Sequence, residues 1–319
     1  MSHTSVLLHE SIEGLAICEG DVFVDATLGD GGHSAEILKR FGDKVTIVGI
    51  DRDADAVERA AKTLGGKILG GHDGENDGKG KLERVVLKQG DFRNIESTLA
   101  SLGFENAQRF LFDIGLSSRQ IEESGRGFSF QKDEPLLMTF EKSSEGPDGF
   151  SRGAPIVTAK EVVNEWQEET LVQIIKGFGE ERFAGRIARG IVETRKEKVI
   201  ETTGDLVEII MKSTPFYYHR GKIHPATRTF QAIRIAVNDE LEAIRDGLKS
   251  AWKLLTPAGR IAVISFHSLE DRIVKQYFNE LKKTGAATVI TKKPIVASEA
   301  EIKSNPRARS AKLRIIKKN

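Results

Sequence analysis

A chain of 319 residues, 39% hydrophobic and 30% charged, is long enough for one large folded domain or two modest ones, which excludes a disordered or fibrous polymer. Its 48 basic residues stand against 47 acidic ones, a net charge of +1, so contact with a polyanion must come from local patches rather than from the chain as a whole. One cysteine, Cys18, cannot close a disulfide within the chain; no apolar run approaches the ~20 residues that span a bilayer, and MSHTSVLLHE lacks a basic-then-apolar leader, which predicts a cytoplasmic protein without a membrane partner.

In chain order, DVFVDAT reads as a strand ending at Asp25, followed by a glycine-rich turn and by HSAEILKRF, whose Ala35, Leu38 and Phe41 have helix-face spacing. VTIVGID is a second strand ending at Asp51, and ADAVERAAKTL is alanine-rich and helix-favouring. GGKILGGHDGENDGKGK (65–81) holds seven glycines in 17 residues and reads as a surface loop with no assigned role. ERVVLKQGD and RFLFDIG supply a third and a fourth strand, closed by Asp91 and Asp113. Strands alternating with helices predict a parallel sheet, and carboxylates at strand C-termini mark the edge where such sheets bind ligands.

After Gly115 the alternation stops, and 124–222 reads as a mainly helical insert, with EVVNEWQEETLVQIIKGF and EERFAGRIARGIVETRKEK both amphipathic. TFQAIRIAVNDELEAIRDGLKSAWKLL then predicts one long helix stopped by Pro257 and Gly259, followed by the strand RIAVISF, the helix SLEDRIVKQYFNEL and a last strand, KLRIIKK. The expected organisation is one α/β domain, 1–123 with 223–319, interrupted by the insert as a substrate-recognition domain.

DATLGDGGHS (25–34) puts Gly29, Gly31 and Gly32 between a strand and a helix, where a missing Cβ lets the backbone turn tightly and approach a ligand. Asp51 follows Gly31 by 20 residues, the spacing of a carboxylate that accepts from the ribose hydroxyls of an adenosine. Alone, the glycines fit a simple tight turn and Asp51 a helix cap near Asp53; at this spacing in a βαβ unit, adenosine binding is the better reading. The pattern leaves a dinucleotide and a methyl donor both open. Ser34 at the third glycine position and a polar turn after Asp113 favour the methyl donor.

HTSVLLHE, DATLGDGGHS, FDIGLSSRQ, RGFSF, HPATRTFQAIRIAVNDELEAI, GRIAVISFHSLEDRIVK and NPRARSAKLRI together resemble the ribosomal RNA small-subunit methyltransferase H family, also called MraW, from His3 to Ile315. The resemblance implies a class I, Rossmann-like methyltransferase that uses S-adenosylmethionine to methylate N4 of a cytidine in the decoding region of 16S rRNA. The implied partner is that rRNA or the small ribosomal subunit, with a homodimer left open. It places the cofactor against Gly31, Gly32, His33, Asp51, Phe92, Asp113 and Gln120, of which His33, Phe92 and Gln120 come from the resemblance alone. The chain departs from the family at Arg119, usually proline, at Leu137, usually acidic, and at Thr139, usually arginine.

Cytosine's exocyclic amine is a poor nucleophile, so acceptors that stabilise positive charge developing on nitrogen are needed; Asp113 and Ser118, in the turn after the fourth strand, are the catalytic candidates. The base must be unpaired or flipped. TPFYYHRGKIHPATRTF offers Phe216, Tyr217 and Tyr218 for stacking and Arg220, Lys222, Arg228 and His224 for phosphates, with a second basic run from Arg307 to Lys318. His219 and His224 lack a matching cysteine or carboxylate cluster, so no metal is expected, and His267 either touches substrate or caps the next helix. The rival readings are an NAD-dependent oxidoreductase, a non-catalytic ribosome-assembly factor, and a methyltransferase acting on another nucleic acid or a protein.

Overall fold

Short apolar runs whose side chains alternate between two faces build the sheet. The computed structural model describes residues 5–68, 84–122, 124–140 and 157–319; most of the glycine-rich 65–81 loop lies outside them. The strands are β1 (Val22–Asp25), β2 (Thr46–Asp51), β3 (Lys67–Ile68), β4 (Val85–Gln89), β5 (Ala107–Asp113), β6 (Leu255–Ser265), β7 (Ala287–Val289), β8 (Ile295–Val296) and β9 (Lys312–Lys318). They lie in the order β3-β4-β2-β1-β5-β6-β9-β7, with β8 also on β9. Pairing is parallel from β3 to β6 and antiparallel around β9. The expected strands are all present; β3, β7 and β8 are additions of two or three residues, too short for a periodicity to reveal.

From β1 the chain moves outward to β2 and β4, then returns to place β5 on β1's other side. Such a reversal opens a crevice at the carboxyl ends of the strands. Alternation along the strands sends Val24, Val48, Phe110, Phe112 and Val263 to one core and Phe23, Ile47, Leu111, Ala262 and Ile264 to another. The first core is covered by Leu99, Leu248 and Phe278 from the helices Ile95–Ser101, Glu240–Leu254 and Ser268–Lys283. The second is covered by Leu15, Ile37 and Val57 from Leu8–Leu15, Gly32–Phe41 and Ala54–Leu64. Each fully buried Leu, Ile, Val or Phe contributes about 1.5–3 kcal/mol, so the two cores hold the strand ends in place.

The chain divides into two compact units, 1–115 with 241–319, and 116–240. The second is helical: Ala159–Glu165, Glu168–Gly177, Ala184–Glu197, Thr203–Ser213 and Ala226–Asn238. They share a core that includes Val162, Leu171, Ile175, Ile187, Leu206 and Ile233. Reciprocal capping boxes at Thr158–Glu161 and Thr202–Asp205 start two of them. The expected insert, 124–222, falls inside this unit, which extends beyond it at both ends. The single long helix expected from 229 to 255 is instead two, broken at Asp239, which sits in the left-handed region at φ 48. The reason lies in packing: Phe230 and Ile233 belong to the helical core, while Ile244 and Leu248 belong to the sheet core.

Buried Asn238 closes the helical unit. Its amide donates to the carbonyls of Met138 (2.7 Å) and Arg234 (2.9 Å), and its Oδ1 accepts from Phe140 N–H (2.9 Å). Asn238→Ala strands buried backbone groups and is expected to cost about 2–4 kcal/mol in denaturant unfolding. A loss under about 0.5 kcal/mol would show that water replaces these bonds.

Candidate active site

Three carboxylates meet at the carboxyl edge of the sheet because β1, β2 and β5 each end in aspartate. Backbone bonds continue past the strand ends and fix the loops: Ala26 N–H donates to Leu111 O and Leu28 N–H to Ile50 O, both at 2.9 Å. Asp113 N–H donates to Thr27 Oγ1 at 2.6 Å, joining the end of β5 to the loop after β1.

Asp51 holds the glycine turn. Its Oδ2 accepts from Gly29 N–H at 2.7 Å and its Oδ1 from Asp53 N–H at 2.9 Å. Asp53, rather than Asp51, caps the helix Ala54–Leu64, through a bond from Asp55 N–H (3.1 Å). Burial raises the Asp51 pKa, opposed by those two backbone bonds. Each carboxylate oxygen keeps a lone pair for a further donor, such as a ribose hydroxyl.

Within the turn, Gly29 and Gly31 have φ of 52° and 79°, where side chains are strained. A Cβ on Gly31 would press on Leu64 at 3.2 Å, and one on Gly32 would run into Ser5 Oγ. Those two glycines serve internal packing. A Cβ on Gly29 meets nothing within 4 Å, so Gly29 faces open space, and Gly31 begins the helix Gly32–Phe41 with no side-chain cap. Helix N–H groups left without a side-chain cap are natural partners for a polar ligand.

Asp25 is buried and accepts from Ser34 Oγ at 2.7 Å, while its Oδ1 lacks a partner. Burial pushes its pKa up to about 6, against the Ser34 and Thr27 bonds and with help from Asp51. Asp113 is raised to about 7, first by burial, then by Asp25 and Glu270. Its Oδ1 is also without a hydrogen-bond partner. His33 is buried with Nε2 3.3 Å from Val6 O and Nδ1 4.0 Å from Asp113 Oδ2, a distance too long for a hydrogen bond. Desolvated carboxylates with unused acceptor atoms suit a cationic ligand, and with the open face at Gly29 they fit an adenosyl sulfonium.

The remaining expected residues are distributed as follows. Phe92 lies beyond β4, after Asp91, which caps a single 3-10 turn rather than ending the strand. It packs edge-on against Phe112 (centroids 5.8 Å, 87°) and leans on the first core. Gln120 and Ser118 belong to the helical unit, where Gln120 Oε1 accepts from Ser117 N–H (2.9 Å); the Ser118 side chain is outside the described residues. His267 caps the helix Ser268–Lys283 in a capping box with Glu270. Glu270, which faces Asp113 electrostatically, was missed because SLED reads as an ordinary helix start. His224, though exposed, stacks on Phe130 (4.7 Å, 22°), its Nδ1 accepts from Ala226 N–H, and partial desolvation and His219 lower its pKa; Arg228 donates to Glu180 O at 3.1 Å. Both are engaged by their own unit.

A model of the MraW methylase family matches residues 1–319. The chain belongs to that family. Relatives named ribosomal RNA small subunit methyltransferase H are similar along nearly its whole length. That of Symbiobacterium thermophilum is 43% identical, over 99% of this chain and 96% of its own. That of Brevibacillus brevis is 40% identical, and that of Ruminiclostridium cellulolyticum 42%, each over 99% of this chain and 98% of the relative. For an MraW methylase, the choice left open by the glycine turn falls to the methyl donor rather than a dinucleotide. Among the described residues, no helix is long and apolar enough to cross a membrane.

The raised Asp113 pKa sets a sign for stability. An unfolded aspartate ionises near 4, whereas Asp113 stays protonated up to about 7, so stability present at low pH is lost as pH rises through that value. Asp113→Asn is expected to stabilise the ligand-free protein by up to about 4 kcal/mol at pH 8 and to be neutral near pH 4 in urea unfolding. An equal effect at both pH values would mean that ionisation of Asp113 is not the cause.

Proposed function

We propose that this MraW methylase transfers the methyl group of S-adenosylmethionine to N4 of a cytidine in the decoding region of 16S rRNA, acting in the cytoplasm on the rRNA or the small subunit. The reading is carried by one observation: a strand-end carboxylate, Asp113, with an unused acceptor oxygen beside a glycine turn that Asp51 clamps. Family membership along the full chain supports it. The relatives, ribosomal RNA small subunit methyltransferases H, support ribosomal RNA as the substrate.

S-adenosylmethionine, when bound, supplies a methyl group already activated by its sulfonium charge. Asp51 accepts from the ribose hydroxyls, the turn from Gly29 to His33 presents backbone to the donor, and Phe92 completes its binding. Ionised Asp113 accepts a hydrogen bond from the N4 amine and takes the proton that becomes acidic as the new N–C bond forms and the methyl–sulfur bond breaks, which leaves a neutral thioether. A base that titrates near the working pH is well matched to this task. Placing the nucleophile removes much of the remaining barrier.

Incubation with labelled S-adenosylmethionine and small subunits lacking the modification should place one methyl on a single cytidine, located by mass mapping of the rRNA. Incorporation at a different atom or only into protein would overturn the assignment. With saturating donor, Asp113→Asn should lower the single-turnover rate by about 100-fold or more. The wild-type rate should rise with pH up to about 7, since the ionised form is the acceptor. A near-normal Asp113→Asn rate excludes an essential carboxylate.

A further inference from the structure

Among the described residues of the helical unit, two aromatic side chains stand unusually far into solvent: Phe216, 70% exposed, and Tyr217, 64% exposed. They belong to the single-turn helix Phe216–His219. Beside them, the corner between the helices Glu168–Gly177 and Ala184–Glu197 presents Arg182, Phe183 and Arg186. The Arg182 guanidinium lies 4.8 Å from the Phe183 ring, 4.8 Å from Tyr218 and 5.7 Å from Tyr217. Arg186 is 5.8 Å from Phe183, and Arg220 covers Phe216 at 4.9 Å. The charges are interleaved with the rings.

The arrangement is braced from below. Glu181, 1% exposed, accepts from Tyr218 Oη at 2.5 Å and from Phe183 N–H at 2.8 Å. This ties the aromatic helix to the corner. The corner itself turns at Gly179, where a Cβ would meet Arg228 O at 2.5 Å, and at Glu180, held at φ 50. A non-glycine residue at such a φ costs about 1–3 kcal/mol and persists only where its surroundings impose it. Arg182 also lines a cleft of about 460 Å³ with Lys176, Glu180 and Gly185.

No ion pair among the described residues engages Arg182, Arg186, Arg220 or Lys222, so four exposed cations are available to an anion. The buried Glu181 carboxylate is held by its two donors, and Glu180 is the exposed acidic residue nearest in sequence. Folding alone would hide rings of this size; exposing them among cations suits a partner with both flat faces and negative charge. Single-stranded nucleic acid has both, and a duplex keeps its base faces stacked away.

We infer that the Arg182–Phe183 corner and the Phe216–Arg220 turn form one docking surface for an unstacked, single-stranded segment of RNA, with bases on Phe216 and Tyr217 and phosphates on Arg182, Arg186, Arg220 and Lys222. The inference rests on the proposed RNA substrate and adds the residues that grip it. Arg182, Phe183 and Arg186 fall in the EERFAGRIARGIVETRKEK segment, read from the sequence as amphipathic with no RNA role of its own, whereas His224 and Arg228, expected at the interface, are left out because the fold already uses them.

The test measures binding of an unstructured rRNA-derived oligonucleotide and of the same sequence as a duplex, by fluorescence anisotropy across a salt series, alongside calorimetric binding of S-adenosylmethionine. Phe216→Ala with Tyr217→Ala should weaken single-strand binding at least about ten-fold, and donor affinity should not change. Arg182→Gln and Arg220→Gln should each reduce the log-log salt slope by about 0.7, while Lys212→Gln, a cation outside the surface, should not. Unchanged single-strand affinity in the aromatic double variant, or an equal loss for duplex, overturns the surface. If the wild type methylates rRNA and the double variant does so with unaltered KM, the surface fails and the reaction stands. If the wild type binds single strands through these residues yet transfers no methyl, the surface stands and the reaction fails.

Discussion

One carboxylate organises the edge of the sheet. Asp51 takes a backbone N–H on each oxygen, from the turn after β1 and from the start of the helix after β2. Hydrogen bonds to an ionised acceptor are roughly twice as strong as neutral ones. This clamp, with the bond from Gly31 N–H to Leu28 O at 2.8 Å, offsets the cost of ordering the positive-φ glycines. The open face at Gly29 lies at this clamp, while Asp113 is tied to the same loop through Thr27 Oγ1.

The same edge is energetically uncomfortable. Asp25 is fully buried and Asp113 largely so, each with an unused oxygen, and Asp51 and Glu270 add like charge. A fold optimised for stability alone would replace such groups with apolar ones of similar size. Their presence at the crevice of the α/β sheet is the physical reason for placing a cationic reactant there. The helical unit makes a comparable sacrifice elsewhere, in exposed rings and a strained Glu180.

Much of this was legible before any coordinates. Period-two and period-3.6 patterns located the main strands and most of the helices, and aspartates at three strand ends marked the edge where those carboxylates meet. The spacing from Gly31 to Asp51 pointed to the loop that Asp51 clamps, although contact geometry shifts the open position to Gly29. The break at Asp239 was hidden because both flanking segments are helix-favouring, and only the change of core from one unit to the other reveals it. Asp25 was seen as a strand end and not as a site residue; its role depends on proximity to Asp113, which lies on a neighbouring strand far away in sequence. Arg182 and Glu181 were invisible for a similar reason, since a buried glutamate holding a tyrosine cannot be told from a surface one by its letter.

The insertion of the helical unit falls between two strands that are neighbours in the sheet: Phe112 of β5 pairs with Val263 of β6, and everything from Leu116 to Glu240 lies between them in sequence. Closing a loose loop of that length is slow and entropically unfavourable, although the penalty grows only logarithmically. Contacts inside the helical unit are more local and can form first, shortening the span that must be searched. Condensation of the inserted helices before β5 and β6 register would shorten the span to be closed, and on that order of events a lesion in the helical core is expected to slow the pairing of Phe112 with Val263.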